Sequence, residues 1–267
     1  MTPSLLRNFV VLFDLFVILA TTTSAQGPPA VSGETLTTRF WDCCKPSCGW
    51  NGKASVTDPV RSCDKNDSPI NDFNAGSLCA EGGSATTCTS QQPWAVNDTF
   101  SYGFAGVYIS GHDKELENFW CCACYQLDFT SDPLKGKTMI VQASNTAYDV
   151  KANRFSLAVP GGNTTSDTCA KQFGVEQTVF GEMGSGVTSL ENCDSLPDAL
   201  KPGCEWRFNW FNDTLYPTAN FKRVTCPTEL TSKTGCIRKD ENASSSLSPA
   251  ITSALVVASF VALLLSA

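Results

Sequence analysis

The chain has 267 residues, a formal net charge of −7, 14 cysteines and a single histidine, His112. Nothing basic is clustered, which excludes a nucleic-acid partner, and the acidity suits either solubility or an uncharged substrate that needs no electrostatic steering. The stretch between the two apolar ends is long enough for one substantial domain with its own core.

Residues 1–25 read as a secretory signal peptide. Arg7 supplies the positive start, Phe9 to Ala20 is mostly apolar, and Thr23-Ser24-Ala25 offers the small residues of a cleavage site. The apolar run is short for a membrane span and Asp14 interrupts it, so the mature chain is expected to begin near Gln26. Next comes Thr37-Thr38-Arg39-Phe40-Trp41-Asp42-Cys43-Cys44, which sets one carboxylate beside aromatic rings and paired cysteines. Asp42 is there either as a structural acceptor or as one half of a catalytic pair, and the second role needs a partner.

Period-two alternation predicts strands carrying Tyr125, Leu127 and Phe129, then Met139, Val141 and Ala143, then Trp206, Phe208 and Trp210 on their inner faces. Short helices are expected to start at Asn97 or Asp98 and near Ser195 to Leu200. Long stretches rich in Gly, Pro, Asn and Ser, at 51–93 and 160–189, far exceed hairpin loops. The expectation is a small β-barrel or sandwich dressed in crosslinked loops, since loops of this length cost entropy unless tied. Trp41, Trp50 and Trp94 lie in polar, loop-like contexts, where an indole either stacks on a sugar ring or packs beneath the loops.

All the cysteines fall between Cys43 and Cys236, and in an oxidising compartment an even count reads as seven disulfides. Cys43-Cys44 and Cys121-Cys122-Ala123-Cys124 resemble metal-ligand clusters, but with one histidine and these spacings zinc is not expected. No cofactor is implied. Sequons at Asn66, Asn97, Asn163, Asn212 and Asn242 fit a glycosylating secretory route. Residues 242–248 form a Ser-rich linker, and an apolar tail within 249–267 carries no basic residue after it. That pattern favours a GPI anchor over a retained transmembrane helix; both put the domain outside the cell.

The string TTRFWDCCKPSCGW at 37–50 resembles the N-terminal signature of the glycoside hydrolase family 45 endoglucanases. The likeness continues through PWAVND (93–98), FWCCACYQLDFTS (119–131), GKTMIVQASNT (136–146), VPGG (159–162) and PDALKPGCEWRFNWF (197–211), and takes in every cysteine. It implies a six-stranded double-psi β-barrel over residues 26–241, mainly β with a few short helices, acting as a monomer on β-1,4-glucan. It also implies the pairs Cys43 with Cys169, Cys44 with Cys79, Cys48 with Cys121, Cys63 with Cys88, Cys122 with Cys236, Cys124 with Cys226 and Cys193 with Cys204.

The family hydrolyses internal β-1,4-glucosidic bonds with inversion, using two carboxyl groups about 6.5–9.5 Å apart with a water between them. Asp42 matches the general base, while Thr38, Phe40 and Trp50 match substrate-binding positions. The acid's position is Ser156, within Asn153-Arg154-Phe155-Ser156-Leu157. Alternation there turns Phe155 and Leu157 one way and Ser156 toward the groove. A hydroxyl is too weak an acid for this step, and loss of general acid catalysis costs about 10²–10⁴ in rate. Asp149, which matches an additional groove aspartate, is the candidate substitute acid; Asp167 also matches a family aspartate. Phe40 stands where tyrosine is usual and Arg154 where histidine is common. The alternative reading is a non-hydrolytic, expansin-like glucan-binding protein on the same barrel, although expansins keep the acid-side aspartate and lack the base-side one, the reverse of this chain.

Overall fold

The computed structural model describes residues 30–112, 115, 117–148, 152–162 and 166–242. The predicted signal segment, the C-terminal tail, Asn163 and Asp149 lie outside the described residues, and no described helix is long and apolar enough to cross a membrane.

Among the described residues ten strands run in chain order: β1 (Ser32–Phe40), β2 (Ser62–Cys63), β3 (Pro69–Ile70), β4 (Thr86–Thr87), β5 (Trp94–Ala95), β6 (Phe100–Tyr108), β7 (Cys124–Phe129), β8 (Thr138–Thr146), β9 (Arg154–Ala158) and β10 (Thr218–Val224). Six of them close a barrel in the order β6-β8-β7-β10-β1-β9, and β9 pairs back onto β6. The β6–β8 and β1–β9 pairs are parallel and the other four antiparallel. This is the six-stranded barrel that the resemblance implied. The short strands β2, β3 and β4 form a separate small sheet, and β5 adds to the edge of β6.

Alternation places the core. Tyr125 and Leu127 of β7, Met139 and Val141 of β8, Phe155 and Leu157 of β9, and Phe221 of β10 are all buried in one cluster. The rings of Tyr125, Phe155 and Phe221 meet pairwise with centroids 5.2, 5.3 and 6.1 Å apart. Each such side chain contributes about 1.5–3 kcal/mol through burial. A second cluster, with Trp41, Phe104, Phe180, Leu196 and Leu200, lies under the long loops.

Among the described residues five short helices decorate the barrel: α1 (Glu117–Trp120), α2 (Thr168–Phe173), α3 (Lys201–Asn209), α4 (Thr228–Thr234) and α5 (Lys239–Asn242). The structure corrects the strand expected around Trp206–Trp210, because that segment is the end of α3 and its cap. Positions four apart share a face in both periods, and Trp206 and Trp210 stack with centroids 5.3 Å apart. Pro202, in the first turn, starts the helix where a missing N–H costs nothing. The helix expected from Asn97 or Asp98 is also absent. Asn97 Oδ1 accepts from the N–H groups of Thr99 and Phe100, at 2.9 and 2.8 Å, which makes a turn leading into β6 instead. Near Ser195 to Leu200 the chain does coil, as short 3₁₀ turns at Glu191–Ser195 and Asp198–Leu200 ahead of α3.

The seven disulfides join Cys43 to Cys169, Cys44 to Cys79, Cys48 to Cys121, Cys63 to Cys88, Cys122 to Cys236, Cys124 to Cys226 and Cys193 to Cys204, the same pairs that the resemblance implied. Cys63, Cys88 and Asp67 are close enough to suggest a metal trio, but the two cysteines are bonded to each other and offer no thiolate.

Candidate active site

The groove is built outward from β1. This strand buries Thr35, Thr37 and Arg39 and leaves Thr38 and Phe40 half-buried on the opposite face. Polar side chains tolerate such burial only with partners. Thr35 Oγ1 donates to the Asn153 carbonyl at 3.0 Å, Thr37 Oγ1 to the Pro217 carbonyl at 3.0 Å, and Arg39 to the carbonyls of Asp213 and Thr214 at 3.0 and 2.8 Å. The buried face of β1 thus pins the loops, while its other face borders an open groove of about 710 Å³ that also takes in Asp42, Ser156 and Arg154.

Asp42 lies two residues beyond the end of β1. Trp41 before it is buried, and Cys43 and Cys44 after it are bridged to Cys169 and Cys79, so the backbone here is held on three sides. Its Oδ1 accepts the Cys44 N–H at 3.0 Å. Burial raises the carboxyl's pKa above the usual aspartate value, and backbone hydrogen bonds, first that from Cys44, oppose the rise.

Ser156 sits on β9 in parallel register with Thr38 of β1. Both neighbours of Ser156, Phe155 and Leu157, are fully buried, and Ser156 lines the groove as the alternation predicts. The two hydroxyls share a hydrogen bond of 2.6 Å. Among the described groove-lining residues the carboxylates are Asp42 and Asp213. Asp213 Oδ1 lies 2.7 Å from Arg207 Nε and 3.1 Å from Arg39 Nη1. Burial, then the nearby Arg207 charge, lowers the Arg39 pKa to about 10, with Asp213 and Tyr216 acting against the shift.

The groove's other wall is the loop after Phe180, which brings up Gly184, Ser185, Val187 and Thr188. Gly186 has φ +77°, and a side chain there would fall onto the Gly161 carbonyl. The VPGG motif therefore serves as a seat for this loop.

The expected site residues do not all converge. Thr38 and Phe40 line the groove with Asp42 and Ser156; Trp50 does not. Trp50 ends the 3₁₀ turn Ser47–Gly49, with Lys45 Nζ 3.6 Å from its ring centroid. That ammonium also donates to the Phe73 and Ala75 carbonyls, at 2.9 Å each. Trp41 is packed into the second core cluster, and Trp94 packs on Tyr102. Asp167 is exposed and paired with Lys171 at 2.8 Å, away from the groove. Of the sequons, Asn66, Asn97 and Asn212 are exposed, and Asn242 ends α5.

The sequence reading missed Asn145, Arg207, Asp213 and Tyr216. Asn145 borders the groove and also a small cavity behind Asp42. Its Oδ1 is fixed by the N–H groups of Ser47 and Thr146, at 3.0 Å each. It lies within the recognised string GKTMIVQASNT, where that match was the available signal.

The comparisons agree with this geometry. The family model described as glycosyl hydrolase family 45 matches residues 33–237. A Fusarium oxysporum protein assigned as an endoglucanase of type K is 49% identical over 220 residues, a match covering 81% of this chain and 57% of that protein. An endoglucanase of Cryptopygus antarcticus is 44% identical, over 84% of this chain and 97% of its own length. The crystal structure of cellulase from the same Antarctic springtail superposes with a TM-score of 0.73, covering 78% of this chain and 99% of that one. With the barrel, the crosslinks and the sequence match all in agreement, the chain belongs to glycosyl hydrolase family 45.

Proposed function

We propose that the chain is an endo-β-1,4-glucanase that hydrolyses internal bonds of cellulose or a related β-glucan with inversion, with Asp42 as general base. The observation that carries this reading is the position of Asp42 on an open groove, anchored by the Cys44 N–H and with its pKa raised by burial. Such a carboxylate is suited to take a proton from water nearer neutral pH. The activated water attacks the anomeric carbon, the glycosidic C–O bond breaks, and the leaving oxygen requires a proton.

Ser156 stands at the usual donor's position, and its hydroxyl does not supply that proton. Asp213 is unsuited, because its Oδ1 is already engaged by the guanidinium groups of Arg39 and Arg207, at 3.1 and 2.7 Å. Asp149 is the proposed donor; it follows Tyr148, which lines the groove. The same reading takes the chain as a monomer, and as exported with a C-terminal GPI anchor; export and anchoring are supported by the character of the two apolar ends.

The test is reducing-sugar release from carboxymethylcellulose, mixed-linkage β-glucan and xyloglucan. Wild type is expected to be active, and both Asp42→Asn and Asp149→Asn inactive. The serine at position 156 favours one other reading, non-hydrolytic glucan binding. Binding without sugar release by either wild type or Ser156→Asp would establish it.

A further inference from the structure

Most large apolar side chains of the domain are buried, yet Leu215 and Tyr216 are 59% and 65% exposed, and both line the groove that holds Asp42. The backbone beneath them is unusually well held. The Asp213 and Thr214 carbonyls accept from the buried Arg39, and the Asp213 side chain is paired with Arg39 and Arg207. The Asp213 N–H bonds back to the Arg207 carbonyl at 2.9 Å, and Thr214 Oγ1 donates to the Phe211 carbonyl at 2.9 Å. On the far side, the Pro217 carbonyl takes both the N–H and the hydroxyl of Thr37, at 2.9 and 3.0 Å. Asn212 and Asp213 adopt φ of +51° and +50°, which turns the chain sharply between α3 and β10. Residues in that region are strained unless their surroundings hold them.

A loop fixed from below that presents a tyrosine ring and a leucine to an open groove forms a preorganised platform, since little backbone entropy remains to be lost on binding. Flat aromatic faces suit the apolar faces of pyranose rings. We propose that Tyr216, flanked by Leu215, is a sugar-stacking subsite of this groove, which takes a glucosyl unit of a β-1,4-glucan. This rests on the glucan reading above and adds a residue that sets substrate affinity. Arg39 and Arg207 act as positioning residues that hold the platform through Asp213 and Thr214.

The test is calorimetric binding of cellohexaose, with each protein carrying Asp42→Asn so that the oligomer is not cleaved during the titration. Tyr216→Ala is expected to weaken binding about five- to tenfold, in line with the loss of one aromatic stack. Tyr216→Trp should retain wild-type affinity, and the melting temperature should be unchanged in both because the side chain is exposed. Wild-type binding with unchanged affinity in Tyr216→Ala overturns the platform and leaves the glucan reading standing. A wild type that binds neither cellohexaose nor any other β-1,4-glucan oligomer overturns both.

Discussion

Removing the Cys122–Cys236 bridge, as Cys122→Ala with Cys236→Ala, probes how the crosslinks share their work. The two cysteines are 114 residues apart, and a lone bridge of that span would contribute about 4.8 kcal/mol in the chain-entropy account. This bridge is not alone. Cys124–Cys226 is nested inside it and spans 102 residues. With the inner link intact, the outer one closes only the short ring through 122–124 and 226–236. For a ring on the order of a dozen residues the same account yields about 3 kcal/mol. Both side chains are buried, and alanine introduces no hydroxyl to be left without a partner. The bonds from Gln142 Nε2 to the Cys122 and Cys236 carbonyls, at 3.1 and 2.9 Å, are untouched. Urea unfolding followed by tryptophan fluorescence measures the loss. Repeated in a Cys124→Ala, Cys226→Ala background, the same deletion should cost about 1–2 kcal/mol more, because the ring it then closes is long. A first loss below about 1 kcal/mol, or equal losses in the two backgrounds, refutes the nested-ring argument.

Four further outcomes are expected, three from the site and one from the C-terminal tail. Because burial raises the Asp42 pKa, the acid limb of kcat/KM should lie above the ordinary carboxylate range, with activity falling as pH drops through it; a limb at the ordinary aspartate value contradicts this. The same shift has a stability consequence: a raised folded-state pKa means that the Asp42 contribution is fully present below the unfolded value and is lost as pH rises through the folded one. Asp42→Asn should therefore melt higher than wild type at neutral pH, by a margin that closes in acid, while losing activity. With Asp149 as donor, Ser156→Asp, whose new carboxyl would sit beside the Thr38 hydroxyl, should add little to sugar release, whereas a gain of about 10²-fold or more would refute that role for Asp149. Phosphatidylinositol-specific phospholipase C should release the protein from intact cells, whereas release by detergent alone would favour a transmembrane tail.

Strands β7 and β8 of the barrel were legible because period two is the mark of a half-buried strand. Tyr125, Leu127 and Phe129, and Met139, Val141 and Ala143, lie buried where their alternation put them. The same logic failed at Trp206, Phe208 and Trp210, whose outer pair is four apart and so satisfies a helix equally well. It was tertiary packing against β5 and the neighbouring turns that selected the helix. Asn97 misled for a related reason: the side-chain oxygen that caps a helix also closes a turn.

Within the candidate site, the local string around Asp42 carried its own message: a carboxylate followed by two crosslinking cysteines is held in place whatever else the chain does. The facing of Ser156 was likewise a property of its own strand. What the sequence by itself did not determine is which distant residues these two would meet. The 2.6 Å contact of Ser156 with Thr38 follows from the parallel β1–β9 register, and parallel pairs are joined by long connections that leave no local mark. The Arg39–Asp213–Arg207 cluster brings together positions up to 174 residues apart. Burial of charge made that arrangement necessary, because two guanidinium groups taken out of water require a carboxylate and carbonyls around them. Only the closed barrel decided which ones, and with them where Tyr216 stands.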